Sequence, residues 1–85
     1  MLSLGMTHYT AADLAMADRH LAEGEQHIAR QEMLVTSLRL KGHPTDEAES
    51  LLRLFNQAQI EHRLHRQAIA EAIDDGDRRR QTGRT

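Results

Sequence analysis

Six histidines in a chain of 85 residues are the side chains with the clearest capacity for chemistry. Four of them, His20, His27, His62 and His65, fall in two long segments with helical periodicity. His62 and His65 are three residues apart, so one helix face presents both imidazoles, and two imidazoles can bind one divalent metal ion. Glu61, Glu23 or His20 could complete the ligand set. Zinc or another divalent metal is therefore a candidate cofactor.

The helical di-metal centres that use carboxylates and imidazoles need a stricter pattern than this chain has. In those bundles a Glu-x-x-His motif occurs on two helices. Here His20 and Glu23 stand in the reverse order, and Glu61 and His65 are separated by one residue too many. The motif gives only weak support to a metal site.

The same histidines have two other interpretations. Neutral imidazoles on an inner helix face can form a polar layer that fixes helix register, and Gln31 and Gln59 could belong to that layer. Alternatively, clustered imidazoles with an ordinary pKa of about 6.5 would gain like charges together in acid and loosen the helix ends. The sequence favours the structural layer and leaves the metal site and the pH switch open.

The first segment that positions these histidines is a long amphipathic helix, predicted over residues 11–41. Thr10 is a suitable N-cap, Asp13 stands where a capping box needs an acid, and Tyr9 can pack on Leu14 as a hydrophobic staple. Two apolar-rich series with a seven-residue period predict a coiled-coil seam: Leu14, Leu21, Ile28 and Val35, and Ala17, Gly24, Gln31 and Leu38.

A turn at residues 42–45 and a second helix at 46–75 follow. Gly42 suits the left-handed position after a helix, Pro44 prevents continuation, and Thr45 can cap the second helix. Gly76 is predicted to stop that helix, and its last turn, which carries three acids, is predicted to fray unless Arg78 and Arg79 pair with them one turn apart. Its apolar face comprises Ala48, Leu51, Leu52, Phe55, Ala58, His62, His65, Ile69, Ala72 and Ile73.

This pattern predicts an all-α, antiparallel two-helix hairpin with a flexible N-terminus at 1–9 and a basic disordered tail at 77–85. If the turn centres on His43, facing residues have numbers that add to about 86. Gly24 then faces His62, His20 lies beside His65, and His27 lies beside Glu61.

Two helices bury only one stripe each, so the sequence predicts that a homodimer completes a four-helix bundle. Contact candidates lie outside the seam, where they would be exposed in a single hairpin. They are Ala11, Ala15, Ala22, Ala29, Met33 and Leu40 on the first helix, and Ile60 and Leu64 on the second. An unidentified protein partner is a further possibility.

Composition narrows the function classes. The net charge of -2 and the lack of aromatic residues near Arg78, Arg79, Arg80 and Arg84 disfavour nucleic-acid binding. No cysteine is present, and no apolar run approaches the roughly 20 residues that span a bilayer. The opening residues lack a basic signal-peptide region, so we expect a cytoplasmic protein. No nucleophile motif or glycine-rich phosphate loop is present, so we expect a non-enzymatic interaction or regulatory module.

Residues 18–66 resemble a group of small helical-hairpin proteins from alphaproteobacteria that have no established activity. The resemblance lies in His20-x3-Gly24-Glu25-x2-Ile28-x2-Gln31, and then in Gly42-x2-Thr45-x2-Ala48-x3-Leu52-x2-Phe55-x6-His62-x2-His65-Arg66. It implies a bacterial cytoplasmic protein with the same hairpin. It assigns no functional role to any residue.

Overall fold

A computed structural model of the chain describes residues 8–82, with side chains described from His8 to Arg79. Helix α1 spans Ala11–Leu40 and helix α2 spans Asp46–Thr82, and the two helices pack against each other. No strand occurs in this range. The predicted all-α helical hairpin is therefore confirmed.

The hairpin is a rod with a small interior. Its radius of gyration is 19.2 Å, whereas a compact domain of this length has a value of about 12 Å. The principal extents are 68 × 26 × 15 Å. Among the described residues, the buried apolar side chains are only Ala17, Val35, Ala48 and Ile69.

The start of α1 carries the predicted capping box. The Asp13 amide donates to the Thr10 hydroxyl oxygen at 3.2 Å, and the Thr10 amide donates to the Asp13 carboxylate at 2.8 Å. The Tyr9 ring lies edge-on to the His65 ring, with centroids 6.2 Å apart. The staple between Tyr9 and Leu14 stays a prediction.

Removal of the cap should measurably weaken the hairpin. Thr10→Ala leaves the Asp13 amide without its acceptor, so we expect the free energy of unfolding to fall by about 1 kcal/mol. Urea unfolding followed by circular dichroism measures this change. Thr36→Ala, at an exposed position inside α1, is the matched control and should cost nothing. Equal losses in the two variants would contradict a capping role.

The turn ends α1 with a Schellman motif. Gly42 has a φ of 75°, the His43 amide donates to the Leu38 carbonyl at 2.9 Å, and the Gly42 amide donates to the Arg39 carbonyl at 3.1 Å. These bonds satisfy carbonyls that the helix end would otherwise leave unpaired. The left-handed glycine predicted at this position is confirmed, and α1 ends one residue earlier than predicted, at Leu40.

Thr45 begins α2 differently from the prediction. Its carbonyl accepts the Glu49 amide at 2.8 Å, but its hydroxyl donates to the Glu49 carboxylate. This hydrogen bond lowers the pKa of the Glu49 carboxyl below 4.5; Arg39 and Arg53 act in the same direction and burial opposes them. Because the pKa is lower in the folded state, the charged carboxylate stabilises the hairpin above that pH, and the contribution is lost as the pH falls.

The predicted end of the second helix at Asp75 is wrong. α2 continues through Gly76 to Thr82, because Arg78 pairs with Asp74 at 2.8 Å and Arg79 pairs with Asp75 at 3.0 Å. These pairs join residues one turn apart and offset the unfavourable acids near the helix end.

The structure describes only part of each of the two ends that were predicted to be flexible. A disordered tail is wrong for residues 77–82, which are helical, while residues 83–85 and 1–7 lie outside the described part of the chain. Between residues 8 and 82, no helix is long and apolar enough to cross a membrane.

Candidate functional site

Two buried glutamines join the helices reciprocally. The Gln31 side-chain amide of α1 donates to the Ala48 carbonyl of α2 at 2.9 Å. The Gln59 side-chain amide of α2 donates to the Leu21 carbonyl of α1 at the same distance. Their exposed fractions are 8% and 1%. A polar layer between the helices is thus formed by glutamines.

Gly24 faces Gln59, so the predicted pairing of Gly24 with His62 is wrong. The Gln59 Oε1 atom occupies the space where a Cβ on Gly24 would stand, and the Gln59 Cδ atom lies 2.9 Å from that position. The opposing residue is three positions earlier in α2 than predicted, which is close to one full turn. The long glutamine fills the gap left by glycine, and its Oε1 atom has no hydrogen-bond partner.

This register gives the four helical histidines ring contacts that the sequence did not predict. The predicted pair of His20 with His65 is replaced by His20 with His62, whose ring centroids lie 5.8 Å apart at an interplanar angle of 49°. His27 lies against Phe55, with centroids 5.7 Å apart, in place of the predicted Glu61. The histidines therefore make ring contacts, and they do not form the predicted polar layer.

The predicted metal ligands His62, His65, His20 and Glu61 are not brought together as one set. A groove of about 220 Å³ is lined by His20, Glu23, Gly24, His27 and His62. His65 and Glu61 are absent from that lining, and His65 contacts Tyr9 instead. Among the described residues, no group of three or more histidines and carboxylates is placed to hold a metal ion.

One broad side of the hairpin is polar and is already paired across the helices. Arg66 of α2 contacts Asp18 of α1 at 2.8 Å, and Arg39 of α1 contacts Glu49 of α2 at 3.5 Å. Both pairs are substantially exposed to solvent, so each contributes little to stability. They nevertheless cover this side with charge.

The opposite broad side carries the histidines and large exposed apolar side chains. Helical geometry places Met16 and Leu34 on the side of α1 that bears His20 and His27, and Leu51 and Leu54 on the side of α2 that bears His62 and His65. We call these eight residues the apolar-histidine face. The exposed fractions are 51% for Met16, 46% for Leu34, 41% for Leu51 and 60% for Leu54.

Sequence reasoning missed this face. It placed Leu51 on the seam and searched for other apolar residues on the back of each helix, whereas Met16, Leu34 and Leu54 lie on the flank between seam and back. A helical-wheel comparison of both flanks could have found them, because Met16 and Leu34 are separated by about five whole turns. In α2, Leu51 and Leu54 each stand about three turns before a histidine of the same face.

The predicted outer contact line is also exposed. Met33 and Leu40 on the back of α1 are 71% and 83% exposed, and Ile60 and Leu64 on the back of α2 are 55% and 61% exposed. A shallow groove of about 600 Å³ follows the back of α1 from Ala29 to Lys41. The back of each helix is the side turned away from the other helix. The two sides therefore face in opposite directions and do not form one continuous surface.

The apolar-histidine face combines exposed apolar side chains with four imidazoles. No protein family, curated protein or solved structure matches the chain. The resemblance to the alphaproteobacterial hairpin proteins therefore stays a prediction.

Proposed function

We propose that this chain is a non-enzymatic helical module that works as a homodimer, in which the apolar-histidine faces of two hairpins pack together as a four-helix bundle. The observation that supports it most directly is the exposure of Met16, Leu34, Leu51 and Leu54 beside an interior of very few apolar side chains. Contiguous exposed apolar patches on a small protein mark interaction sites.

The exposed area agrees with a missing partner. The chain exposes 6863 Å², whereas a compact monomer of 9.7 kDa exposes about 5,100 Å². The difference of about 1,700 Å² per chain is about twice the roughly 800 Å² that each partner buries in a standard interface, so one such interface accounts for about half of it. A second copy of the chain supplies the extra layer that a single hairpin lacks.

The apolar-histidine face also has suitable dimensions. α1 contains 30 residues and is about 45 Å long, and two helices side by side are about 20 Å wide. This gives about 900 Å², close to the roughly 800 Å² per partner of a stable interface. The back of either helix alone is only one helix wide, so it offers about half that area.

A pair of matched substitutions tests the proposal. Leu54→Glu places a charge on the apolar-histidine face, and Ile60→Glu places one on the back of the same helix at a similar exposed fraction, 60% against 55%. We expect Leu54→Glu to weaken dimerisation at least about tenfold, because burial of an unpaired carboxylate is unfavourable. Ile60→Glu should leave it unchanged.

Sedimentation equilibrium across a range of protein concentrations measures both effects, with circular dichroism to confirm that each variant stays helical. A wild-type chain that is a folded monomer at micromolar concentration would refute the proposal. Loss of the dimer in Ile60→Glu and its retention in Leu54→Glu would transfer the interface to the back of the helices.

A further inference from the structure

We infer that the His20–His62 pair makes the proposed homodimer sensitive to protons, so that the dimer forms with neutral imidazoles and dissociates in mild acid. This inference rests on the proposed function, since it concerns how the same face is regulated. It follows from the placement of the two rings, one on each helix, within the apolar-histidine face.

The pair combines closeness with access to solvent. The two ring centroids are 5.8 Å apart, His20 is exposed, and His62 is half-buried. In the single hairpin, the pair borders solvent, and the high dielectric constant of water weakens the repulsion between two imidazolium charges. A second hairpin packed on the face would remove that water, so charging both rings would oppose assembly.

The described residues give the pair no counter-charge in ion-pair contact. Between residues 8 and 79, the ion pairs all join arginine to aspartate or glutamate, and none includes a histidine. The groove beside the pair contains Glu23 and His27 of α1, and Glu61 precedes His62 on α2. The nearby Arg66 of α2 is already paired with Asp18 of α1.

The other two ring contacts of the face respond differently to protonation. His27 lies against Phe55 and His65 lies against Tyr9. A cation beside an aromatic ring can be accommodated through the ring quadrupole. Two adjacent imidazoles have no such compensation once both are charged. The proton sensitivity therefore belongs mainly to His20 and His62.

The test compares the dimer dissociation constant at about pH 8 and about pH 5.5, on either side of the ordinary imidazole pKa. We expect the wild-type constant to rise at least about tenfold at the lower pH, because the monomer binds more protons than the dimer. His62→Gln and, separately, His20→Gln remove one ring of the pair and should each lose most of this increase. His43→Gln, an exposed histidine of the turn, is the matched control and should retain it.

Each outcome has a distinct meaning. A monomer at about pH 8 would refute both the dimer and this inference. A dimer of equal strength at both pH values would refute the inference alone, as would full pH dependence in the two pair variants. Circular dichroism at both pH values separates dissociation from unfolding.

Discussion

Gly24→Ala is expected to destabilise the hairpin by about 2 kcal/mol, although alanine is the better helix former. The new Cβ would overlap the Gln59 Oε1 atom and stand 2.9 Å from its Cδ atom, so the Gln59 amide must move. That movement breaks the bond to the Leu21 carbonyl and leaves a buried amide unpaired, at a cost of about 3 kcal/mol. The gain in helix propensity offsets only about 1 kcal/mol.

Gly76→Ala is the matched control for this substitution. Gly76 also lies within a helix, but nothing approaches within 4 Å of the position of its Cβ. We expect this variant to be more stable by about 0.5–1 kcal/mol. Chemical unfolding measures the free energy of unfolding of both variants. We expect it to fall in Gly24→Ala and to rise in Gly76→Ala.

A second substitution at Gln59 tests whether overlap with the Gln59 amide causes the loss of stability in Gly24→Ala. In a Gln59→Ala background, the Gly24→Ala substitution has no amide to displace, so it should become neutral or stabilising. If Gly24→Ala were equally damaging with and without Gln59, the contact between the two residues would not explain the glycine.

Ile69→Ala is expected to lower the free energy of unfolding by about 3 kcal/mol. Ile69 is 2% exposed and is one of only four buried apolar side chains among the described residues. The substitution removes buried methylene and methyl groups and leaves a cavity that a narrow two-helix interior can close only in part. Thermal melting and urea unfolding measure the loss.

Leu64→Ala is the control for Ile69→Ala, because Leu64 lies on the same helix. Leu64 is 61% exposed, so its truncation should change stability by less than about 0.5 kcal/mol. Leucine and alanine are both good helix formers, which keeps helix propensity out of the comparison. Similar losses in the two variants would show that Ile69 is not part of the stabilising interior.

The local features of the fold were predictable because each is encoded within a few residues. The capping box depends on Thr10 and Asp13, which are three residues apart, and the end of α1 depends on the left-handed Gly42. The hairpin follows from a turn between two amphipathic segments. The end of α2 was harder, because the helix continues past the weak stop signal of Gly76, where Arg78 and Arg79 each pair with an acid one turn earlier.

The register was not predictable from turn geometry alone. Counting outward from His43 aligns Gly24 with His62, but the helices settle where Gln59 can fill the space beside Gly24 and reach the Leu21 carbonyl. Residues far apart in sequence decide this choice, and a difference of three positions gave the four helical histidines ring contacts that the sequence did not predict. The predicted metal ligand set depended on that alignment and was lost with it.

The close fit of Gln59 against Gly24 means that the residue type at one of these positions constrains the residue type at the other. A side chain acquired at position 24 would displace the Gln59 amide from its bond to the Leu21 carbonyl, unless the residue at position 59 also became shorter. We therefore expect these two sites to covary among homologues, with glycine tolerated only where a long amide lies opposite.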